Sequence, residues 1–454
     1  MSMLRFFQRM MLLSALALTV NTASAFSMLG APDTWQDVRI GHNLPFNADI
    51  GTVMNLGEEY RWNTRTLVYG FDESFRNYFG ERGMQEVRKA IAILNALPPF
   101  SKMSTNLDEF STDTRRVNQT ASALGILDLK SYTLAFLIEQ LGLAGPERYT
   151  WCLRERREFP DQIEYDVIMR NFEPVPNSVS NYRPSKYVNG TLYTYGVYEF
   201  ITAGVNWADA VEFPVDPAAN IFTSVASAAD GLFGGFIGFG GFFTGLTRDD
   251  VAGLRYLYRP QNYNFEGLVF SNSVSSGGTA WTPVGGSGTN FVNEALRPGV
   301  DKITFVEGKY DSSFGSFVAI NNTFTDYYVT NSHQFKQTLT RTLVQADFIF
   351  TAADLSAFFS VARTVSRINN DAINGQQVLA GPGVIAPPYF LTFNKVGPVL
   401  LNVDFIDPLF FDFIFEEDGF RGFVWGSYDG TTNAPVIYPE GSSLEALEQQ
   451  VLGN

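Results

Sequence analysis

Cys152 is the only cysteine in 454 residues, so no disulfide can form within the chain and its apolar core must hold the fold. The material for such a core is present. Hydrophobic residues make up 45%, with 41 Phe, 20 Tyr and 6 Trp, at a mean hydropathy of −0.03. That aromatic content excludes wholesale disorder. The charge excludes another class. Against 47 acidic groups stand 32 basic ones, a net −15, so the chain lacks the basic footprint that neutralises phosphates, and no nucleic-acid partner is expected. His42 and His333 are the only histidines, which leaves little room for chemistry that needs imidazole.

Residues 1–25 read as a secretory signal peptide. Arg5 and Arg9 form a positive start, Met10 to Val20 an apolar run, and Ala23-Ser24-Ala25 the small residues a signal peptidase accepts, so the expected cut precedes Phe26. The run is too short to cross a bilayer core of about 30 Å. An exported protein results, in the periplasm, on the cell surface or outside, with no spanning segment after cleavage.

Hydrophobic spacing then sets out the elements. Arg65 to Phe71 is a short strand. Met84, Val87, Ile91, Leu94 and Leu97 line one face of a helix over Glu81–Leu97, stopped by Pro98-Pro99. A second helix is expected over Leu127–Leu143 and a third over Thr247–Tyr258, where Thr247 can cap and Asp249 and Asp250 suit the positive end. Asn189-Gly190, inside Lys186 to Val197, is a hairpin turn. Past residue 260 the texture changes, and short β-branched and aromatic runs follow: Lys302–Glu307, Ser316–Ile320, Thr325–Thr330, Thr338–Val344, Phe390–Phe393 and Val399–Phe405. Ser442-Ser443-Leu444-Glu445 opens a short final helix. The fold class expected is α+β.

Three pieces of the first part resemble the matrixins, zinc peptidases within the metzincins. The strand and long helix over Arg65–Leu97 are similar to the start of their catalytic domain. Leu246-Thr247-Arg248-Asp249-Asp250-Val251-Ala252-Gly253-Leu254 with Leu257-Tyr258 is similar to their last helix, L-x-x-D-D-[IV]-x-G-[IL]-x-x-L-Y. Leu141-Gly142-Leu143 looks like the centre of the zinc motif H-E-x-x-H-x-L-G-L-x-H. Laid on Gly142, that motif puts its ligands at Ala135, Glu139 and Gly145 and its general base at Phe136. None is a histidine, and the catalytic glutamate is missing, so no bound water can be activated there. The resemblance therefore implies a metzincin-like scaffold, residues 26–260, with a long insertion at about 148–244 and a lost zinc site. It implies no catalytic residue, metal or cofactor. A linker (261–288) and a β-rich, sandwich-like domain (289–454) would follow.

Other constellations are weaker. Gly231 to Gly245 holds seven glycines and five phenylalanines. Phe233, Phe236, Phe239, Phe242 and Phe243 could form an exposed interaction loop, but a loop folded onto the core is the expectation. Asp404 to Asp418 carries six acids, which suits calcium, but no D-x-D-x-D-G loop is present and the alternation with Phe and Ile points to a strand with one wet face. Arg154-Glu155-Arg156-Arg157-Glu158 is expected to be a solvated helix face. The function expected is an exported, non-catalytic binding or structural protein with an unidentified protein or surface partner. Two alternatives remain open: a secreted hydrolase using Asp and Glu carboxylates, and a self-assembling cell-surface protein.

Overall fold

The computed structural model describes residues 24–30, 52–175, 181–202, 205–229, 237–268, 280–283, 292–311, 316–343, 345–355, 361–363, 367–368, 382–385, 387, 389–395 and 424–446. Residues 1–23, His42, Val399–Phe405, most of the 261–288 linker and the 404–418 acidic segment lie outside these. The architecture is mixed α and β, as the α+β expectation requires.

At the centre is a five-stranded sheet. Thr66–Phe71 pairs in parallel with Thr304–Glu307 on one side and Phe348–Ala353 on the other. Phe348–Ala353 pairs in parallel with Tyr389–Asn394, and Val361–Arg363 closes the edge antiparallel. The inner strands Thr66–Phe71 and Phe348–Ala353 are mostly buried, whereas Thr304–Glu307 at the edge is half exposed. The long helix Glu73–Ala96 covers one face. Its Phe75 and Phe79 pack against Phe71, Phe350 and Phe393, with Phe75 5.2 Å from Phe71 and 5.9 Å from Phe393 between ring centroids. Gly80, at φ 62°, breaks this helix just before the expected start at Glu81.

A second five-stranded sheet is antiparallel, in the order Tyr263–Gly267, Glu294–Pro298, Ile320–Thr330, His333–Leu343, Ala280–Pro283. Leu343 from this sheet joins Ala346 in packing on Val68 of the central sheet. Buried ion pairs tie the parts together. Arg61 meets Glu266 at 2.6 Å and Arg297 meets Asp326 at 3.0 Å. Arg341 holds Asp347, whose Oδ2 also accepts the Val68 N–H at 2.8 Å.

Two expectations need correction. The boundary at 261–288 does not separate two hydrogen-bonded units, because Thr66–Phe71 has its sheet partners beyond residue 300, and one core runs from Phe26 to Tyr438. The Arg154–Glu158 run is a strand, not a helix face. Cys152–Glu158 pairs with Ile163–Ile168, and Arg156 leaves the sheet to meet Glu199 at 2.7 Å. The Asn189-Gly190 turn stands as expected, with φ of 46° and 85° between Tyr187–Val188 and Thr191–Thr202.

Candidate functional site

The helix that carries the zinc-motif positions runs Leu129–Gln140. Asp128 starts it: its Oδ2 accepts from the Ser131 N–H at 3.0 Å and the Ser131 hydroxyl at 2.5 Å. From Ser131 to Gln140 every residue is buried, so the helix is enclosed rather than set along an open cleft. Ala135 and Glu139 stand one turn apart on it. Phe136 packs on Tyr132 with ring centroids 6.0 Å apart. The Glu139 carboxylate accepts from Gln140 Nε2 at 3.0 Å.

Gly142 ends the helix at φ 105°, where a Cβ would lie 2.4 Å from the Tyr60 carbonyl oxygen. Its own carbonyl accepts the Leu29 N–H at 2.9 Å. Gly145 is buried and is the N-cap of Pro146–Tyr149, with φ −68°, a backbone conformation open to any residue. Ala135, Phe136 and Gly145 offer no side-chain donor to a metal. Among the described residues no group of three His, Cys, Asp or Glu is arranged to hold one. His333 is exposed in a hairpin turn, its Nδ1 2.9 Å from the Asn331 carbonyl oxygen.

What gathers beside these positions is a buried acid hub that sequence reasoning missed. Arg248–Tyr258 begins with a capping box between Thr247 and Asp250. Asp250 also accepts the Val225 and Ala226 N–H groups, at 3.1 and 3.0 Å, and the Ser224 hydroxyl at 2.7 Å. Glu147 accepts the Ser224 N–H at 2.9 Å, the Thr223 hydroxyl at 3.1 Å and the Ser227 hydroxyl. Asp249 accepts the Asn189 N–H at 2.6 Å and the Ala25 N–H at 3.1 Å. The three carboxylates thus fix the segment 223–227, the hairpin turn and the backbone at Ala25. Only the adjacent Asp249-Asp250 pair signalled this in the sequence; no spacing links it to Glu147 or Ser224. All three are buried and occupied by hydroxyls and backbone amides, so they do not form the open pair that glycoside-type acid–base chemistry needs. A small apolar cavity nearby, lined by Leu94, Leu97, Phe100, Leu141, Leu254 and Tyr258, has no carboxylate in its wall.

The Gly/Phe loop is largely withdrawn from solvent where it is described. Phe242 and Phe243 are buried in Gly241–Phe243, which pairs with Arg115–Val117. Phe239 is half-buried against the core. For Phe242, Phe243 and Phe239 the interaction-loop reading is therefore corrected: glycine lets the backbone turn tightly, and the rings turn inward. Phe233 and Phe236 lie outside the described residues.

Burial drives the acids of this region toward the protonated state. It pushes Asp128 up to about 6 from the ordinary 3.8, and raises Glu147 and, well above its usual range, Asp249. A carboxyl with a raised folded-state pKa contributes stability that is complete below about 4 and is lost as pH rises through the folded value. The protein is therefore expected to melt higher at pH 5 than at pH 8, by about 1 kcal/mol from Asp128 alone. A melting temperature that falls steadily between pH 8 and pH 5 would contradict this.

No protein-family model, no curated protein and no solved structure matches the chain.

Proposed function

We propose that this is an exported bacterial protein, non-catalytic, that binds or scaffolds at the cell envelope or exterior on a metzincin-like framework whose zinc site has been lost. One contrast carries the reading. The residues that match the zinc-peptidase pattern have packing work in this fold, and the positions that should carry chemistry do not. Asp250 caps the last helix and anchors 224–226. Gly253 lets that helix approach so closely that a Cβ would sit 2.6 Å from Leu143 Cδ2 and 3.0 Å from Phe26 Cβ. Gly142 fits beneath the Tyr60 carbonyl. The ligand and base positions, in contrast, hold Ala135, Glu139, Gly145 and Phe136; Glu139 is the one potential donor among them, and its carboxylate is buried and bonded to Gln140 Nε2. A framework whose matching residues pack while three of four site positions hold no donor supports a protein that presents a surface rather than one that cuts peptide bonds.

Metal analysis of the purified chain tests this, alongside peptide hydrolysis measured with and without a chelator. The expected outcome is zinc far below one ion per chain and no chelator-sensitive cleavage. Stoichiometric zinc that survives dialysis, or cleavage abolished by the chelator, overturns the reading.

A further inference from the structure

We propose that the outer face of the five-stranded antiparallel sheet is a binding surface for a neutral polysaccharide, whose sugar rings stack on Tyr263, Phe265 and Tyr327. This rests on the reading above of an exported, non-catalytic binding protein, and gives that binding a ligand class and a place. The observation that carries it is an inverted sheet. Along these strands the charged and amide side chains point inward: Asn264, Glu266, Arg297, Asp326 and Arg341 are buried. The alternate positions put rings into water, with Tyr263 42%, Phe265 37% and Tyr327 39% exposed. A slip of one residue would exchange the two faces, but the Arg297–Asp326 and Arg61–Glu266 pairs hold the register. The rings are therefore held outward, against the ordinary tendency of aromatic side chains to be buried.

Register places the rings together. Tyr263 stands opposite Pro298 and Phe265 opposite Leu296, and Leu296 in turn opposite Val329. The same antiparallel register brings Pro298 level with Tyr327. Two ranks result, Tyr263–Pro298–Tyr327 and Phe265–Leu296–Val329, with the two tyrosines two strand spacings or about 10 Å apart. Further along the hairpin the same face carries Thr323 and Thr325 against Thr340 and Thr338, and the hydroxyls of Thr323 and Thr340 lie 2.8 Å apart. Rings beside hydroxyls suit a sugar polymer, which presents C–H faces to stack and hydroxyls that donate and accept. Charge narrows the choice of occupant. The chain carries a net −15, but among the described residues of this face only Lys336 and Glu294 are charged, and they cancel. An anionic lipid surface is repelled by the chain as a whole, a second copy brings the same net charge, and a neutral polymer meets no penalty.

The test is native electrophoresis of the purified chain through gels containing hydroxyethylcellulose, glucomannan or glycol chitin, beside a gel without polymer. Retardation is expected in at least one of these polymers, undiminished by added salt because no ion pair is involved. Tyr263→Ala combined with Tyr327→Ala should weaken it about tenfold or more, the loss typical of central aromatic contacts, while Tyr327→Phe keeps it. These side chains face water, so the variants should melt with the parent; if the double variant melts lower, Tyr327→Ala alone is read instead. Phe335→Ala is the control, because that ring is 48% exposed on the opposite face of the hairpin and its loss should change nothing. No retardation in any of the polymers, retardation abolished by salt, or retardation equal in the double variant overturns the inference and leaves the lost zinc site untouched. A concentration-dependent dimer in sedimentation that the double variant dissolves gives the face to a second copy and likewise overturns it. Retardation accompanied by new reducing ends keeps the surface and overturns instead the non-catalytic reading.

Discussion

Arg61→Ala is expected to lower stability by about 3–5 kcal/mol, a large share of the roughly 5–15 kcal/mol that holds a typical domain. Arg61 is fully buried and uses its whole guanidinium. Nε donates to Glu266 at 2.6 Å. Nη1 donates to the Leu257 and Asn262 carbonyls and Nη2 to the Arg297 carbonyl, all at 2.9 Å. One side chain thus satisfies a carbonyl at the end of the last helix, the turn after it and a strand of the antiparallel sheet. Truncation leaves Glu266 buried without its partner, and burial already raises that carboxyl's pKa. In the variant Glu266 takes a proton more readily, so the loss should shrink as pH falls from 7 toward 5. Urea unfolding at both pH values measures this. A paired Arg61→Met, Glu266→Gln chain should recover part of the loss, since it no longer buries an uncompensated charge. A midpoint for Arg61→Ala within error of the parent at pH 7 would show that the clamp contributes little.

The elements were legible in the sequence wherever a local signal fixes them. The helix after Glu81 follows from Met84, Val87, Ile91 and Leu94. The hairpin follows from Asn189-Gly190, whose positive φ angles only a few residues accept readily. Thr247 and Asp250 announced a cap that the fold makes. What could not be read was pairing across distance. Thr66–Phe71 carries nothing that names Thr304–Glu307 or Phe348–Ala353 as its neighbours, because parallel strands are joined by long crossovers rather than by turns. The change of texture near residue 260 therefore marks no boundary in the hydrogen bonding, because strands from both sides of it pair in one sheet. Nothing in the sequence marks Arg61, Arg297 and Arg341 as buried, since the acid each one meets lies more than five residues away. In Arg154–Glu158 dense charge hid the strand, since the side chains that carry the alternation are themselves ionic.

Two glycines that fall on the resembled motif can be measured against each other. Gly142→Ala is expected to cost about 2–4 kcal/mol, and Gly145→Ala, which loses only a better N-cap, about 1 kcal/mol or less. Both glycines lie in the same turn and both fall on the motif, but their surroundings differ. At Gly142 the backbone stands at φ 105°, which an L side chain adopts only under strain, and the added Cβ would meet the Tyr60 carbonyl oxygen at 2.4 Å. Tyr60 begins the strand Tyr60–Arg61, so relief by moving that carbonyl would disturb the Arg61 clamp as well. At Gly145 φ is −68°, which any L residue adopts, so a methyl group there brings no backbone strain. The contrast tests what holds the Leu141-Gly142-Leu143 turn. If packing against Tyr60 holds it, the two substitutions separate in urea midpoint. If instead Gly142→Ala is as mild as Gly145→Ala, the turn is not held by that contact, and packing does not account for a glycine at 142.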